Sequence, residues 1–236
     1  MSDDEKRRAF VQAHTTIASP PLCPELALHL SEGALALWEA TEAFEGATGL
    51  PPPYWAFAWP GGQALARYVL DHPEVVRGRT VLDFASGAGV SAIAAGQAGA
   101  KRVVATEIDP LAVAALALNA QLDRVTLDIV RDDVTARDDG WEVVLAGDVC
   151  YERPMAELVH RWLRRCATRG ATVLLGDPGR NYLPQEGLEE VARYVVPTSR
   201  DLEDRDHRET AVWRIAAGPW RRPAPTVEHD EVEESL

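Results

Sequence analysis

Lysine is nearly missing from this sequence: Lys6 and Lys101 are the only two in 236 residues, while arginine is abundant. We read that imbalance as the codon bias of a GC-rich, bacterial genome and attach no mechanism to it. Positive charge is short overall, 24 basic against 37 acidic residues, for a net charge of −13. A nucleic-acid backbone or an anionic membrane needs a basic footprint, so neither is expected as the main partner. No apolar run approaches the ~20 residues of a membrane span. The start, Met1-Ser2-Asp3-Asp4-Glu5, is too acidic for a signal or transit peptide. Cys23, Cys150 and Cys166 lie far apart with no Cys-x-x-Cys, which argues against a disulfide framework or a zinc knuckle. The scattered histidines have no ligand spacing, so no metal is expected. These absences together describe a cytoplasmic protein, expected as a monomer.

What is present fits one α/β domain with an appendage: 46% apolar and 26% charged residues, the balance of a globular chain. Residues 1–23 are polar and unpatterned and read as a flexible arm. Residues 24–79 form an N-terminal extension. Leu26, Leu28 and Leu30 alternate as in a short strand, and the apolar stretch 34–44 fits helix or strand. Pro51-Pro52-Pro53 forces an extended segment, and residues 63–70 read as a helix. From Thr80 to residue 217 strands and helices alternate. Strands are expected at 81–84, 102–106, 125–130, 143–146 and 172–175. Helices are expected at 90–98, 110–122, 155–167 and 185–194. Asp109-Pro110 marks one helix start with a capping carboxylate and a first-turn proline. Two last strand-like runs, after Val195 and at 210–216, have no helix between them and should make an antiparallel edge hairpin. The pattern calls for a doubly wound, mostly parallel sheet with helices on both faces. The stretch 218–236 carries three prolines and an acidic end and reads as a disordered tail.

Ligands of such sheets sit beyond the carboxyl ends of the strands, where strand order reverses. The turn Asp83-Phe84-Ala85-Ser86-Gly87-Ala88-Gly89 falls there. The dinucleotide fingerprint Gly-x-Gly-x-x-Gly is absent, and Asp83 would repel a pyrophosphate. S-adenosylmethionine (SAM) has no phosphate and carries an ammonium and a sulfonium, so the charge pattern favours it. A plain tight turn packed by small residues is the alternative. Glu107, 24 positions after Asp83, stands where a carboxylate can take both ribose hydroxyls. Asp132-Asp133 ends the third strand; Asp133 is preferred for the adenine amino group. Asp148 and Tyr151 follow the fourth strand. They suit a cationic or amine nucleophile, or else Asp148 caps the next helix and Tyr151 packs. Asp177-Pro178-Gly179-Arg180 reads as a turn bordering the cleft, and Cys150 as structural.

Three runs carry a family resemblance: Trp59-Pro60-Gly61-Gly62-Gln63-Ala64-Leu65, Asp148-Val149-Cys150-Tyr151 and Gly176-Asp177-Pro178-Gly179-Arg180. Together they resemble the lysine methyltransferases of the electron transfer flavoprotein β subunit, over roughly residues 24–216. The Asp-x-x-Tyr motif is shared with a wider set of lysine methyltransferases, and the other two runs are narrower. The resemblance implies a class I, Rossmann-like fold of seven mostly parallel strands, with SAM as cofactor and S-adenosylhomocysteine (SAH) as product. It implies that Trp59 covers the cofactor and that Asp83, Ala85, Ser86, Gly87 and Gly89 hold its methionine part. Glu107 would hold the ribose and Asp133 the adenine, with Ile108 and Gly147 also among the cofactor-binding residues. Asp148 and Tyr151 would line the lysine entrance. Ala85 stands where the class I pattern has its first glycine, and its methyl narrows that space. The implied substrate is the flavoprotein β subunit; a ribosomal protein is the alternative, and a non-catalytic SAM-fold binding module is the reading from another class.

Overall fold

A computed structural model describes residues 1–218; the expected tail lies, apart from Gly218, outside the described residues. The elements are α1 (Asp3–His14), β1 (Thr16–Ala18), β2 (Leu28–Leu30), α2 (Ala34–Glu45), α3 (Pro60–Asp71), β3 (Thr80–Phe84), α4 (Val90–Gln97), β4 (Arg102–Thr106) and α5 (Pro110–Leu122). There follow β5 (Asp128–Val130), β6 (Val143–Gly147), α6 (Arg153–Arg169), β7 (Thr172–Asp177), β8 (Leu188–Pro197), α7 (Arg200–Glu203) and β9 (His207–Ile215). The main sheet has seven strands in the order β5-β4-β3-β6-β7-β9-β8. Strands β3 to β7 run parallel, while β9 is antiparallel to both β7 and β8. Strand order reverses between β3 and β6, which opens the ligand crevice at their carboxyl ends.

Alternation along the strands divides the core. Leu82, Phe84, Val144, Ala146, Val173 and Leu175 pack against Val159, Trp162, Leu163 and Cys166 of α6. Val81, Val103, Ala105, Val143, Leu145 and Leu174 face Ala64, Leu65, Tyr68 and Val69 of α3 and Ala92 and Ala95 of α4. Each fully buried aliphatic side chain contributes about 1.5–3 kcal/mol. At α5 the expected start is observed: Asp109 Oδ1 accepts the Leu111 N–H at 2.7 Å, and Pro110 follows.

Two expectations are corrected. Residues 1–23 do not form a loose arm. Ser2 and Glu5 make a reciprocal capping box that starts α1, and Phe10 and Val11 bury themselves in a cluster with Leu37, Leu111 and Leu118. The helix is hard to see because only this narrow stripe is apolar and the rest is charged. The second correction concerns residues 185–194, read as a helix. They mostly belong to β8, whose pairing with β9 shifts register between Glu190 and Ala192. That bulge breaks the period of two and mimics helical spacing. The expected edge hairpin is present, with four-residue α7 in its connection. Smaller differences lie at ends: α3 begins at Pro60 rather than Gln63, and β5 at Asp128 rather than Val125.

Phe10 stacks near Phe44, ring centroids 4.6 Å apart. Phe10→Ala should therefore lower unfolding free energy by about 3 kcal/mol, read as a lower urea midpoint at unchanged slope. A loose arm would show no shift.

Candidate active site

The first turn of α3 rests on the ends of β6 and β7 at a distance only glycines allow. A Cβ on Gly61 would collide with the Gly176 carbonyl and come within 2.6 Å of Asp148 Oδ2. A Cβ on Gly147 would reach 2.8 Å from the Gly62 nitrogen. Trp59 leads in extended backbone and Pro60 opens the helix, so Trp-Pro-Gly-Gly works as a seat for the helix on the sheet.

Asp148 sits at this seam, with backbone φ of 55°, a left-handed conformation unusual for aspartate and typical of functional sites. Its N–H donates to Gly176 O at 2.9 Å, and its Oδ2 accepts the Gly62 N–H at 3.0 Å. Asp148 therefore caps a helix, but it is α3, 86 residues back; the next helix, α6, starts at Arg153 after Glu152. Its Oδ1 faces Arg180 Nη2 at 3.4 Å. Burial pushes the Asp148 carboxyl up to about 7; Asp177 and Glu203 push the same way, against Arg180 and the Gly62 N–H. Cys150 is buried beside it, its thiol pushed up chiefly by burial, which fits a structural role.

Aromatic rings line the seam. Tyr151, half exposed, lies 5.6 Å from Tyr54, and Tyr54 meets Trp59 edge-on at 5.8 Å. Trp59 Nε1 donates to Tyr54 O at 2.8 Å, and the Arg180 guanidinium lies over the Trp59 ring, 6.0 Å from its centroid. Sequence reasoning missed Tyr54. Its signal is the aromatic spacing of Tyr54, Trp55, Phe57 and Trp59 after the prolines, which stiffen the approach to the 3₁₀ turn Tyr54–Ala56.

Asp83, at the end of β3, is 2% exposed, and its Oδ2 is buried with no hydrogen-bond partner. Burial pushes its carboxyl up to about 7. The next residue but one, Ala85, has φ of 51°. The class I glycine at this position thus answers a backbone need as well as a need for space, and here alanine bears the strain. Ser86 N–H donates to Thr106 O at 3.0 Å, and Gly87 N–H to Glu107 Oε2 at 3.0 Å. Gly89 turns with φ of 84°, and any Cβ there would enter Leu116. Glu107 also accepts the Ile108 N–H at 2.8 Å, and burial raises its carboxyl above the ordinary range. Its Oε1 also accepts the Asp109 N–H at 3.4 Å, so Oε2, with one donor, is the oxygen that keeps a lone pair for a hydroxyl. Ile108 is 69% exposed beside it, apolar area available to a ligand ring. Beyond β5, Asp132 pairs with Arg137 at 3.0 Å, while Asp133 Oδ1 accepts the Thr135 N–H at 2.9 Å.

Two half-sites therefore meet at the reversal point: Asp83, the 85–89 turn, Glu107 and Ile108 on one side, and Trp59, Gly147, Asp148 and Tyr151 on the other. No hydrogen bond or ion pair among the described residues ties Asp133 to either. An unpartnered buried carboxylate oxygen beside a close-packed turn suits a ligand with a fixed cation, as an amino-acid ammonium is.

Known proteins share this arrangement of strands and turns. Residues 63–176 match the family model of the ribosomal protein L11 methyltransferase. Over 225 residues the chain is 39% identical to the electron transfer flavoprotein β subunit lysine methyltransferase of Danio rerio, covering 92% of this chain and 86% of that one. The human protein of the same name is 38% identical over 220 residues, 89% of this chain and 82% of its own. Among solved structures, SAH-bound magnesium protoporphyrin IX methyltransferase of Synechocystis PCC 6803 superposes with a TM-score of 0.50 at 16% identity. That match covers 66% of this chain and 81% of the other, and it shows a shared class I methyltransferase fold.

Burial pushes the Asp83 carboxyl up to about 7 in the folded chain, against ~3.9 unfolded. The folded state holds the extra proton between these values, so this group's contribution to stability is full below the lower one and is lost as pH rises through 7. His160, whose pKa burial lowers to about 4, acts in the opposite direction. A direct comparison isolates Asp83: in urea unfolding, Asp83→Asn should gain stability relative to the wild type between about pH 5 and pH 8. A pH-independent difference would contradict the assignment.

Proposed function

This chain belongs to the electron transfer flavoprotein β subunit lysine methyltransferases, and we propose that it methylates lysine side chains of that flavoprotein subunit with SAM as donor. One observation carries the reading. A part-buried carboxylate, Asp148, and the rings of Tyr151, Tyr54 and Trp59 converge next to the Asp83–Glu107 crevice. One side is built for a cationic cofactor, the other for a cationic side chain. SAM, when bound, would supply a methyl group on a sulfonium, a neutral thioether (SAH) being the leaving group.

The protein's work is placement. Asp83 Oδ2 would receive the cofactor ammonium, Glu107 the ribose hydroxyls, and Ile108 would offer its exposed side chain to the adenine edge, with Asp133 as that edge's polar partner. Asp148 Oδ1 orients the acceptor amine, and the rings exclude water around it. A lysine ammonium with a pKa of about 10.4 must first lose a proton. Asp148, pushed up to about 7, is too weak a base to hold that proton at higher pH, so water carries it away. The L11 methyltransferase match, confined to residues 63–176, supports ribosomal proteins as a second substrate class. A binding module without turnover has no use for the Asp148–Tyr151 entrance.

Three measurements test the reading. Purified protein is given SAM with the flavoprotein β subunit and, in parallel, a panel of ribosomal proteins, each analysed by mass spectrometry. Methylated lysines on the β subunit are expected, and methylation of ribosomal proteins alone would reject the assignment. With a net charge of −13, kcat/KM for a basic segment should also fall as salt rises toward about 0.15 M, where screening sets in beyond ~8 Å. Separately, Asp148→Ala should abolish transfer while SAM binding persists in calorimetry. Its stability should drop by about 0.5–2 kcal/mol through loss of the α3 cap. Wild-type turnover in that variant would remove Asp148 from the mechanism.

A further inference from the structure

Arg180 follows β7 in a turn that Asp177 closes, Asp177 Oδ1 accepting both the Gly179 and Arg180 N–H groups at 2.7 Å. Its guanidinium is shared unequally. Both Arg180 terminal nitrogens engage Glu203, Nη1 at 3.1 Å from Oε2 and Nη2 on Oε1, whereas Asp148 receives one long hydrogen bond at 3.4 Å. Glu203 comes from α7 in the β8–β9 connection, and its side chain is 2% exposed. It is gripped again by Arg208, Nε to Oε2 at 2.9 Å and Nη2 to the Glu203 carbonyl at 3.2 Å. Leu202 of the same helix joins the apolar cluster of Phe57 and Trp59.

The groups facing Asp148 are the Gly62 N–H from α3, Asp177 and Arg180 from the end of β7, Cys150 from its own loop and Glu203 from α7. With Arg208 behind Glu203, the carboxylates of Asp148, Asp177 and Glu203 meet, among the described residues, the guanidiniums of Arg180 and Arg208. The contact at Asp148 Oδ1, 3.4 Å from Arg180, is the loosest of these ion pairs. Arg180 itself has a further buried donor, Nε, without a partner, so it is not saturated. Without Glu203, the nearest carboxylate for its fork is Asp148, the same group that must take the substrate's ammonium.

We propose that Glu203 is a positioning residue of the acceptor site: it holds Arg180 half off Asp148, so that Asp148 Oδ1 stays open to a lysine. This rests on the methyl-transfer reading above. Arg180 then marks the acceptor's place over Trp59 and gives way to it without leaving Glu203. A guanidinium fork closed on Asp148 would instead compete with every incoming lysine.

The test has a substrate-free arm and a kinetic arm. In the first, the Asp148 carboxyl is titrated by carbon NMR of the aspartate-labelled full chain, assigned with Asp148→Asn. Arg180→Gln should raise its pKa by about one unit or more, the scale of losing an opposite charge within ~4–6 Å, and Arg180→Lys should restore it. In the second, Glu203→Gln should raise KM for the protein substrate about tenfold, the scale of one charge-assisted hydrogen bond made by a competitor. Its kcat and SAM affinity should stay near wild type. Adding Arg180→Gln to Glu203→Gln should bring KM back down, because the competitor is gone. A titration unmoved by Arg180→Gln, or a double variant worse than Glu203→Gln alone, would overturn the proposal. Glu203→Asp, which keeps the charge, replaces Glu203→Gln if that variant does not fold, and should raise KM by a smaller factor. A wild-type chain that methylates nothing would defeat the functional reading, while the titration still tests the clamp.

Discussion

The contact between the first turn of α3 and the ends of β6 and β7 sets the geometry of everything around the cleft. Backbone meets backbone there, because Gly61, Gly147 and Gly176 have no side chains to hold the layers apart. That closeness brings the Gly62 N–H to Asp148 at 3.0 Å. The carboxylate then satisfies one of the donors that every helix start leaves open, and it lies at the positive end of the helix dipole. Trp59, immediately before the helix, is delivered to the cleft by the same contact. A methyl group at Gly61 would lift the helix off Asp148, breaking the cap and moving the Trp59 ring.

Buried negative charge is the second theme. Asp83, Asp177 and Glu203 are each 3% exposed or less, and Asp83 and Asp177 each keep one carboxylate oxygen without a partner. Such burial costs stability unless a cation or hydrogen bond compensates it. Glu203 is compensated internally by two arginines. Asp83 and Asp148 are compensated only in part, and both are pushed up to about 7. Asp83 and Asp148 lie at the carboxyl ends of the neighbouring strands β3 and β6, where strand order reverses.

The extent of the two sequence matches follows the same division. The L11 methyltransferase model ends at residue 176, before Asp177, Arg180 and the β8–β9 connection. The flavoprotein-directed relatives cover about nine tenths of the chain. The shared part holds the cofactor turn and Asp148. The surrounding elements supply Arg180, Glu203 and the α1–α2 cover, and these are where substrate preference has room to differ.

From β3 to α5 the sequence is legible because its signals are local. A buried strand, a turn of small residues, a strand-end carboxylate and an Asp-Pro cap each act within a few positions. Asp83, Glu107 and Asp148 can be placed at strand ends for the same reason. Elsewhere local signals fail: the bulge at Glu190/Ala192 scrambles the period of β8, and α1 shows too narrow an apolar stripe to betray a helix. Ala85 reads in sequence as a matter of space, yet its positive φ makes it a matter of backbone conformation. By itself the sequence determined the alternation of strands and helices from β3 to β7 and the crevice at their carboxyl ends. Only the tertiary structure decided that Asp148 caps α3 rather than α6, and that Arg180 belongs more to Glu203 than to Asp148. Those pairings join residues 86 and 23 positions apart. They depend on which strands become neighbours, and no local propensity encodes that.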